Sequence, residues 1–225
     1  MQRHFVQELE SLKTNLIKMG SVAEEAIILS IKALLQEDKE LAKKVIEGDE
    51  RVNSLEIEID NAIVDLLALQ QPVAVDLRLI LASQKINNDL ERIGDHAVNI
   101  AESALTLSGT QTQESFLEIP KMAEMAQSML RNAFDGFIHQ NAELAKAVLE
   151  QDDVIDDLNK TMVTEVIQQM KNGQKAIDAG LDLIRVSRNL ERVADLATNI
   201  AEEVIFFTQA TVVKHHLGDK GNRQK

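Results

Sequence analysis

The chain has 225 residues, of which 44% are hydrophobic, no cysteine, and a formal charge of −13 from 37 acidic against 24 basic side chains. That apolar fraction supports a core rather than a disordered chain, and the acidity argues against nucleic acid as a partner, because such binding neutralises phosphates with Lys and Arg. Without cysteine there are no disulfides, no iron–sulfur ligands and no thiol nucleophile, which fits a reducing cytoplasm.

Aromatics make up only 3%, with no Trp or Tyr, 2 Pro and 9 Gly. Strands favour aromatic and β-branched residues, so the composition points to long helices. The start MQRHFVQELE lacks an apolar signal core, and no run approaches the roughly 18 apolar residues needed to span a bilayer. An acidic surface also disfavours adsorption to anionic lipid. A cytoplasmic protein with no direct membrane insertion is expected.

Along the chain, Phe5, Leu9, Leu12, Leu16, Met19, Ala23, Ala26, Ser30 and Ala33 alternate in threes and fours. This heptad-like seam predicts a long first helix packed at a shallow angle. Asp38 is placed to cap a second helix, its carboxylate accepting an orphan backbone N–H. That helix is predicted to run unbroken through Val45, Val52, Leu55, Ile59 and Leu66 to Gln71-Pro72, where proline stops it. A third starts near Asp76 and carries Leu79, Ile86, Leu90, Ile93, Ala97, Ile100 and Leu107.

Residues 108–120, SGTQTQESFLEIP, are polar and close on proline, and read as a linker. The pattern then repeats: a helix from Met122 to His139, one from Asn141 to about Met170, and a last from Ala176 to Thr208. In the first of these, Met122, Met125 and Met129 read as core gap-fillers.

The repetition is explicit. LERIGDHAVNIAE at Leu90–Glu102 returns one hundred residues later as LERVADLATNIAE at Leu190–Glu202, identical at nine of thirteen positions. ELAKKVIEGDERVNSLE (40–56) aligns with ELAKAVLEQDDVIDDLN (143–159) at an offset of 103, so the second copy lost three residues near Asn172-Gly173. The reading is an all-α chain of two tandem three-helix bundles with six long helices. The first repeat spans 1–107, the linker 108–120, the second repeat 121–209 and a flexible tail 210–225.

Positions i and i+4 share a helix face. Glu91, Asp95, Asn99 and Glu102 therefore read as one polar stripe, and Glu191, Asp195, Asn199 and Glu202 as its copy. The preceding helices carry Asp49 with Asn53 and Asp152 with Asp156, and antiparallel neighbours would bring these to face the Glu-x-x-x-Asp pairs. Gathered carboxylates repel one another unless protonated or bridged by cations. Hard cations such as Mg²⁺, Mn²⁺, Ca²⁺ or Fe³⁺ resolve that conflict, and helical bundles build metal sites from facing side chains. Solvation or helix packing is the plainer role for the same residues. No helix carries Glu-x-x-His, and His96 projects about 100° from Asp95, which argues against a redox centre. Arg92 and Arg192 are expected to bridge to carboxylates of a neighbouring helix, and the tail residues His215-His216 to be solvated.

These repeated third-helix segments, with acidic pairs on two helices of each repeat, resemble the PhoU family of bacterial phosphate-transport-system regulatory proteins. The resemblance implies multinuclear metal clusters of Fe, Zn, Mn or Mg on the bundle surfaces. Carried over, it implicates Asp49, Glu91 and Asp95 in the first repeat, and Asp152, Asp156, Glu191 and Asp195 in the second. Asn53 departs from that pattern, and its amide, bringing no charge, predicts a weaker first site. The resemblance further implies negative regulation of the phosphate-starvation (Pho) response and of phosphate uptake, by coupling the ATPase of the Pst phosphate transporter to a sensor histidine kinase. It also implies a homodimer, for which the seam of the first helix is a candidate surface. No catalytic residues are expected. The alternatives are a metal-dependent hydrolase built on the carboxylates and a metal-free helical scaffold.

Overall fold

The structure, a computed structural model, describes residues 2–109, 118–171 and 174–213. The linker and tail readings at 110–117 and 214–225, with His215-His216, and the deletion near Asn172-Gly173 lie outside the described residues. Among the described residues all elements are helices: α1 (Gln2–Gln36), α2 (Lys39–Gly48), α3 (Glu50–Gln70), α4 (Ala74–Leu107), α5 (Ile119–His139), α6 (Ala142–Leu149), α7 (Asp152–Met170) and α8 (Gln174–Gln209).

Each repeat is three rods, as expected, but the middle rod is broken. The predicted continuous helix from Asp38 divides at Asp49, where the backbone N–H bonds Ile46 O at 3.4 Å, a tighter i→i−3 step. Its copy divides at Glu150–Gln151, where Gln151 N–H bonds Val148 O at 3.0 Å. Gly48 weakens the first ladder, since an interior glycine costs about 1 kcal/mol against alanine. The breaks place Asp49 and Asp152 at the start of the next helices, where the positive dipole end favours carboxylates.

The turns into the middle rods are also copies. Glu37 (φ 54°) and Gln140 (φ 51°) end α1 and α5 in the left-handed conformation, and Asp38 N and Asn141 N bond back to Ala33 O and Gly136 O. Asp38 Oδ1 then accepts from Leu41 N at 3.0 Å, and Asn141 Oδ1 from Glu143 N at 2.9 Å. Capping at Asp38 is as predicted. Two other boundaries shift: α4 starts at Ala74 rather than Asp76, and Pro120 sits in the first turn of α5 instead of closing the linker. Proline fits there because its missing N–H would be an orphan in any case.

One apolar core runs through both repeats. The helices α1, α4, α8 and α5 form its centre, with α4 packed most extensively on α8, while the broken rods flank them. Leu12, Leu16, Met19 and Ala23 of the predicted seam are fully buried, and Ile27, Ile31 and Leu34 widen the stripe. The seam is therefore covered by the chain's own helices, which corrects its reading as a dimer surface. Met122 and Met129 are buried, and Met125 packs partly against the core.

Candidate metal centres

Antiparallel packing of each broken rod on the following helix brings the predicted acidic pairs together. In the second repeat, carboxylate oxygens of Asp156 on α7 and of Glu191 and Asp195 on α8 lie within 4.8 Å of one another, each residue half-buried. Asp152 stands one turn before Asp156 and accepts a hydrogen bond from Thr198 Oγ1 at 3.2 Å. Desolvation pushes the Glu191 and Asp195 carboxyls above their ordinary range. Repulsion from Asp195 adds to this at Glu191, and repulsion from Asp152 and Asp156 at Asp195, while Arg192 opposes it at both.

The first repeat gathers Asp49, Glu91 and Asp95 in the matching place. Burial raises Asp49 and Glu91, and Asp95 raises both further. Asn53 Nδ2 donates to Asp49 Oδ2 at 2.9 Å and pulls Asp49 back down. Gly94 permits the close approach of α3 to α4: a Cβ there would stand 3.2 Å from Val52 Cγ1 and 3.3 Å from Asp49 Oδ1.

A residue missed in the sequence completes this cluster. Burial raises the Glu56 carboxyl, with Asp60 and Asp95 adding repulsion, and Glu56 in turn raises Glu91. It lies seven residues from Asp49, on the same helix face. In the aligned repeat its position is Asn159, whose Oδ1 accepts from Ser187 Oγ at 2.6 Å. The repeats have thus exchanged acid and amide, Asn53 with Glu56 in one and Asp156 with Asn159 in the other. Both clusters hold four carboxyls, but among the described residues only the second brings three carboxylate oxygens within 4.8 Å of one another, so the first is the looser of the two.

The predicted four-residue stripes, by contrast, split. Each i→i+4 step advances about 40°, so by Asn99 the stripe has turned roughly 80° from Glu91 toward α8. There Arg185 Nη2 donates to Asn99 Oδ1 at 2.6 Å and also pairs with Glu102. Asn199 correspondingly hydrogen-bonds Asp89 across the same seam. His96 Nδ1 meets Asn189 Oδ1 at 2.7 Å, joining the two repeats away from the acids.

The arginines correct another expectation. Both pair within their own helix: Arg192 Nη1 with Asp195 Oδ2 at 2.7 Å, and Arg92 Nη1 with Asp89 Oδ1 at 3.9 Å. Arg192 pairs directly with a cluster carboxylate, whereas Arg92 acts on Glu91 only at longer range, opposing its upward shift.

The donor set fits a hard cation. Asp49, Glu56 and Glu91 in one cluster and Glu191 and Asp195 in the other, half-buried and pushed toward protonation by desolvation and mutual repulsion, regain their charged form when a divalent or trivalent ion supplies the missing positive charge. Asp152, Asp156, Glu191 and Asp195 would hold one group of ions, and Asp49, Glu56, Glu91 and Asp95 the other.

Fold and site together define a duplicated all-helical protein with an acidic cluster on each three-rod repeat. The family model described as PhoU domain matches residues 16–104 and again 119–204. The chain is 38% identical to the phosphate-specific transport system accessory protein PhoU homolog of Aquifex aeolicus, over 96% of this chain and 98% of that one. It is 32% identical to the phosphate-specific transport system accessory protein PhoU of Escherichia coli, over 96% and 90%. The crystal structure of PhoU from Pseudomonas aeruginosa superimposes with a TM-score of 0.89 at 36% identity, covering 92% of this chain and all of that one. That of the phosphate transport system regulatory protein PhoU from Streptococcus pneumoniae gives 0.86 at 30% identity. The chain belongs to the PhoU family.

Proposed function

We propose that this chain is an accessory regulator of phosphate-specific transport, restraining phosphate uptake and the phosphate-starvation response when phosphate is plentiful. The observation that carries the reading is its alignment along 96% of its length with the accessory proteins of that transport system, through both repeats. In the finer form of the proposal it acts as a cytoplasmic adaptor between the transporter's ATPase and a sensor histidine kinase. Among the described residues no helix is long and apolar enough to cross a membrane, which is compatible with that placement. Metal ions at the two acidic clusters would hold each broken rod to its neighbour and offer open coordination positions to partner oxygens.

The test is complementation of a host lacking its own accessory protein, read as starvation-promoter output and phosphate uptake in replete medium. Restored repression is expected. A chain that is expressed and folded yet leaves both outputs derepressed would sink the proposal. Metal content is measured beside it on protein purified without chelator. Several ions per chain, lost from a folded Asp95→Ala/Asp195→Ala variant, are expected. Turnover of a phosphate ester, abolished by Asp195→Ala, would replace the adaptor by a hydrolase.

A further inference from the structure

Two grooves flank the α4/α8 seam, and the duplication relates them. One, of about 340 Å³, is lined by Leu181, Ile184, Arg185, Arg188, Asn189 and Arg192. Its counterpart, of about 430 Å³, includes Lys85, Asn88, Asp89 and Arg92 with Glu202 and Glu203. At the offset of one hundred, Arg188 stands where the other groove has Asn88, and Asn189 where it has Asp89. The α8 groove has thus gained a cation and lost an acid, and no carboxylate residue lines it. In a chain of charge −13 this is a local inversion of sign.

We propose that the α8 groove is a docking site for an acidic amphipathic helix of a partner protein. The arginines fall at i, i+3 and i+7, on one face, spread over about 10 Å of helix axis. A free oxyanion is held by donors that converge on one point, whereas these are strung out at the spacing of carboxylates along a second helix. Arg185 and Arg192 pair with Glu102 and Asp195, which restricts their guanidinia while leaving both side chains accessible. Between them Arg188 is exposed and makes neither hydrogen bond nor ion pair among the described residues, its charge reaching Glu191 only at longer range. Leu181, 59% exposed, and the half-buried Ile184 supply an apolar floor for the partner's leucines. An anionic membrane is the poorer match, because the rest of the surface repels it.

The inference deepens the adaptor reading by naming the chemistry of one partner, and its readout is separate. A library of helical peptides randomised on one face is selected on the immobilised full-length protein. Expected are peptides with Asp or Glu at three- and four-residue spacing beside Leu or Ile, weakened by salt. Their affinity should fall about tenfold on Arg188→Glu, fall less on Arg188→Gln, and hold on Asn88→Glu in the opposite groove. Recovered peptides without an acidic face, or equal binding by Arg188→Glu, overturn the proposal. So does competition by inorganic phosphate at an ionic strength where chloride has no effect, which would mark an oxyanion site. Phosphatidylglycerol vesicles that co-sediment with the wild type but not with Arg188→Glu would assign the groove to lipid instead. A chain that represses the starvation response in cells yet selects no acidic peptide loses the groove assignment alone.

Discussion

Lys85 Nζ lies 2.6 Å from Glu203 Oε1 where α4 crosses α8, with the ammonium side chain half exposed and the carboxylate side chain only 9% exposed. Arg185 closes the other end of the same seam on Asn99 and Glu102. The two ends differ in consequence. Removing one partner of a buried pair strands a charge at a cost of about 3–5 kcal/mol, but exposed pairs contribute below about 1 kcal/mol. Lys85→Met therefore destabilises by about 1–2 kcal/mol, below the fully buried case because the half-exposed Lys85 ammonium was already partly solvated, while Glu203 Oε2 stays buried. Arg185→Ala lowers cross-seam pairing by less than about 1 kcal/mol. Urea melts check both, and a Lys85→Met/Glu203→Gln double variant should regain most of the first loss.

Asp89 carries the clearest pH signature. Burial pushes its carboxyl up to about 6, and Glu203 adds repulsion, against opposing pulls from Arg92, Asn199 and Lys85. A carboxyl whose folded-state pKa is raised binds its proton more tightly in the native chain. It favours folding below its unfolded value and loses that contribution as pH rises through about 6. At neutral pH Asp89 is thus a liability that the second repeat avoids with Asn189. Asp89→Asn should stabilise by about 2 kcal/mol at pH 7, with the gain shrinking between pH 6 and 4. Thermal melts across that range decide it: a pH-independent difference refutes the assignment.

Much of this was legible in the residues. The seam of α1, the cap at Asp38, the duplication and the facing of the acidic pairs all rest on periodicity and offset, which one chain displays directly. The breaks at Asp49 and Gln151 were not, because apolar spacing continues through Val45 and Val52 as though the helix were whole. Only Gly48 signals the first break. Glu56 was missed because the repeats were compared acid with acid, and its copy is the amide Asn159. The fate of Asn99 and Glu102 depends on which helix lies opposite, and that is set by how the repeats pack on each other.

Two glycines test helix packing, Gly20 between the repeats and Gly180 between α7 and α8 within the second. A Cβ at Gly20 would stand 2.2 Å from the Phe134 ring, itself packed against Phe137 with centroids 6.2 Å apart. Gly20→Ala gains about 1 kcal/mol of helix propensity but displaces a seated ring, at about 1–3 kcal/mol. A net loss of about 1 kcal/mol is expected. Gly180→Ala would bring its Cβ to 2.5 Å from Met170 Cε and 2.8 Å from Met170 Cγ, with Val166 Cγ1 at 3.1 Å; the unbranched Met170 can change rotamer more readily than a seated ring, so this variant should lose less than Gly20→Ala.

The exchange of Glu56 for Asp156 predicts that each residue carries the same share of its own cluster. Glu56→Gln should weaken Mn²⁺ binding in the first repeat as much as Asp156→Asn does in the second, each by about tenfold, because each removes one of four charged donors. Titration calorimetry resolves this in backgrounds where the other cluster is silenced by Asp195→Ala or Asp95→Ala. An affinity unmoved by Glu56→Gln would leave Asn53 as the residue that sets the first site.

Arg192 separates the clusters in a different way. Its guanidinium holds Asp195 at 2.7 Å and stands 3.8 Å from Glu191, whereas Arg92 turns to Asp89. A metal ion entering the second cluster competes with that guanidinium for the same carboxylate. Arg192→Ala should therefore raise Mn²⁺ affinity there by roughly tenfold, while Arg92→Ala, whose charge reaches Glu91 without pairing with it, changes the first cluster's affinity by less. Without metal the same substitution acts in reverse. Arg192 counters the burial that raises Glu191 and Asp195, so its loss pushes both carboxyls higher. Metal-free Arg192→Ala should then melt below wild type at pH 8 and close the gap on acidification, since protonation relieves the repulsion. Calorimetry and chelator-treated melts read the two arms separately, and a variant weaker in both would mean that Arg192 only braces the helix.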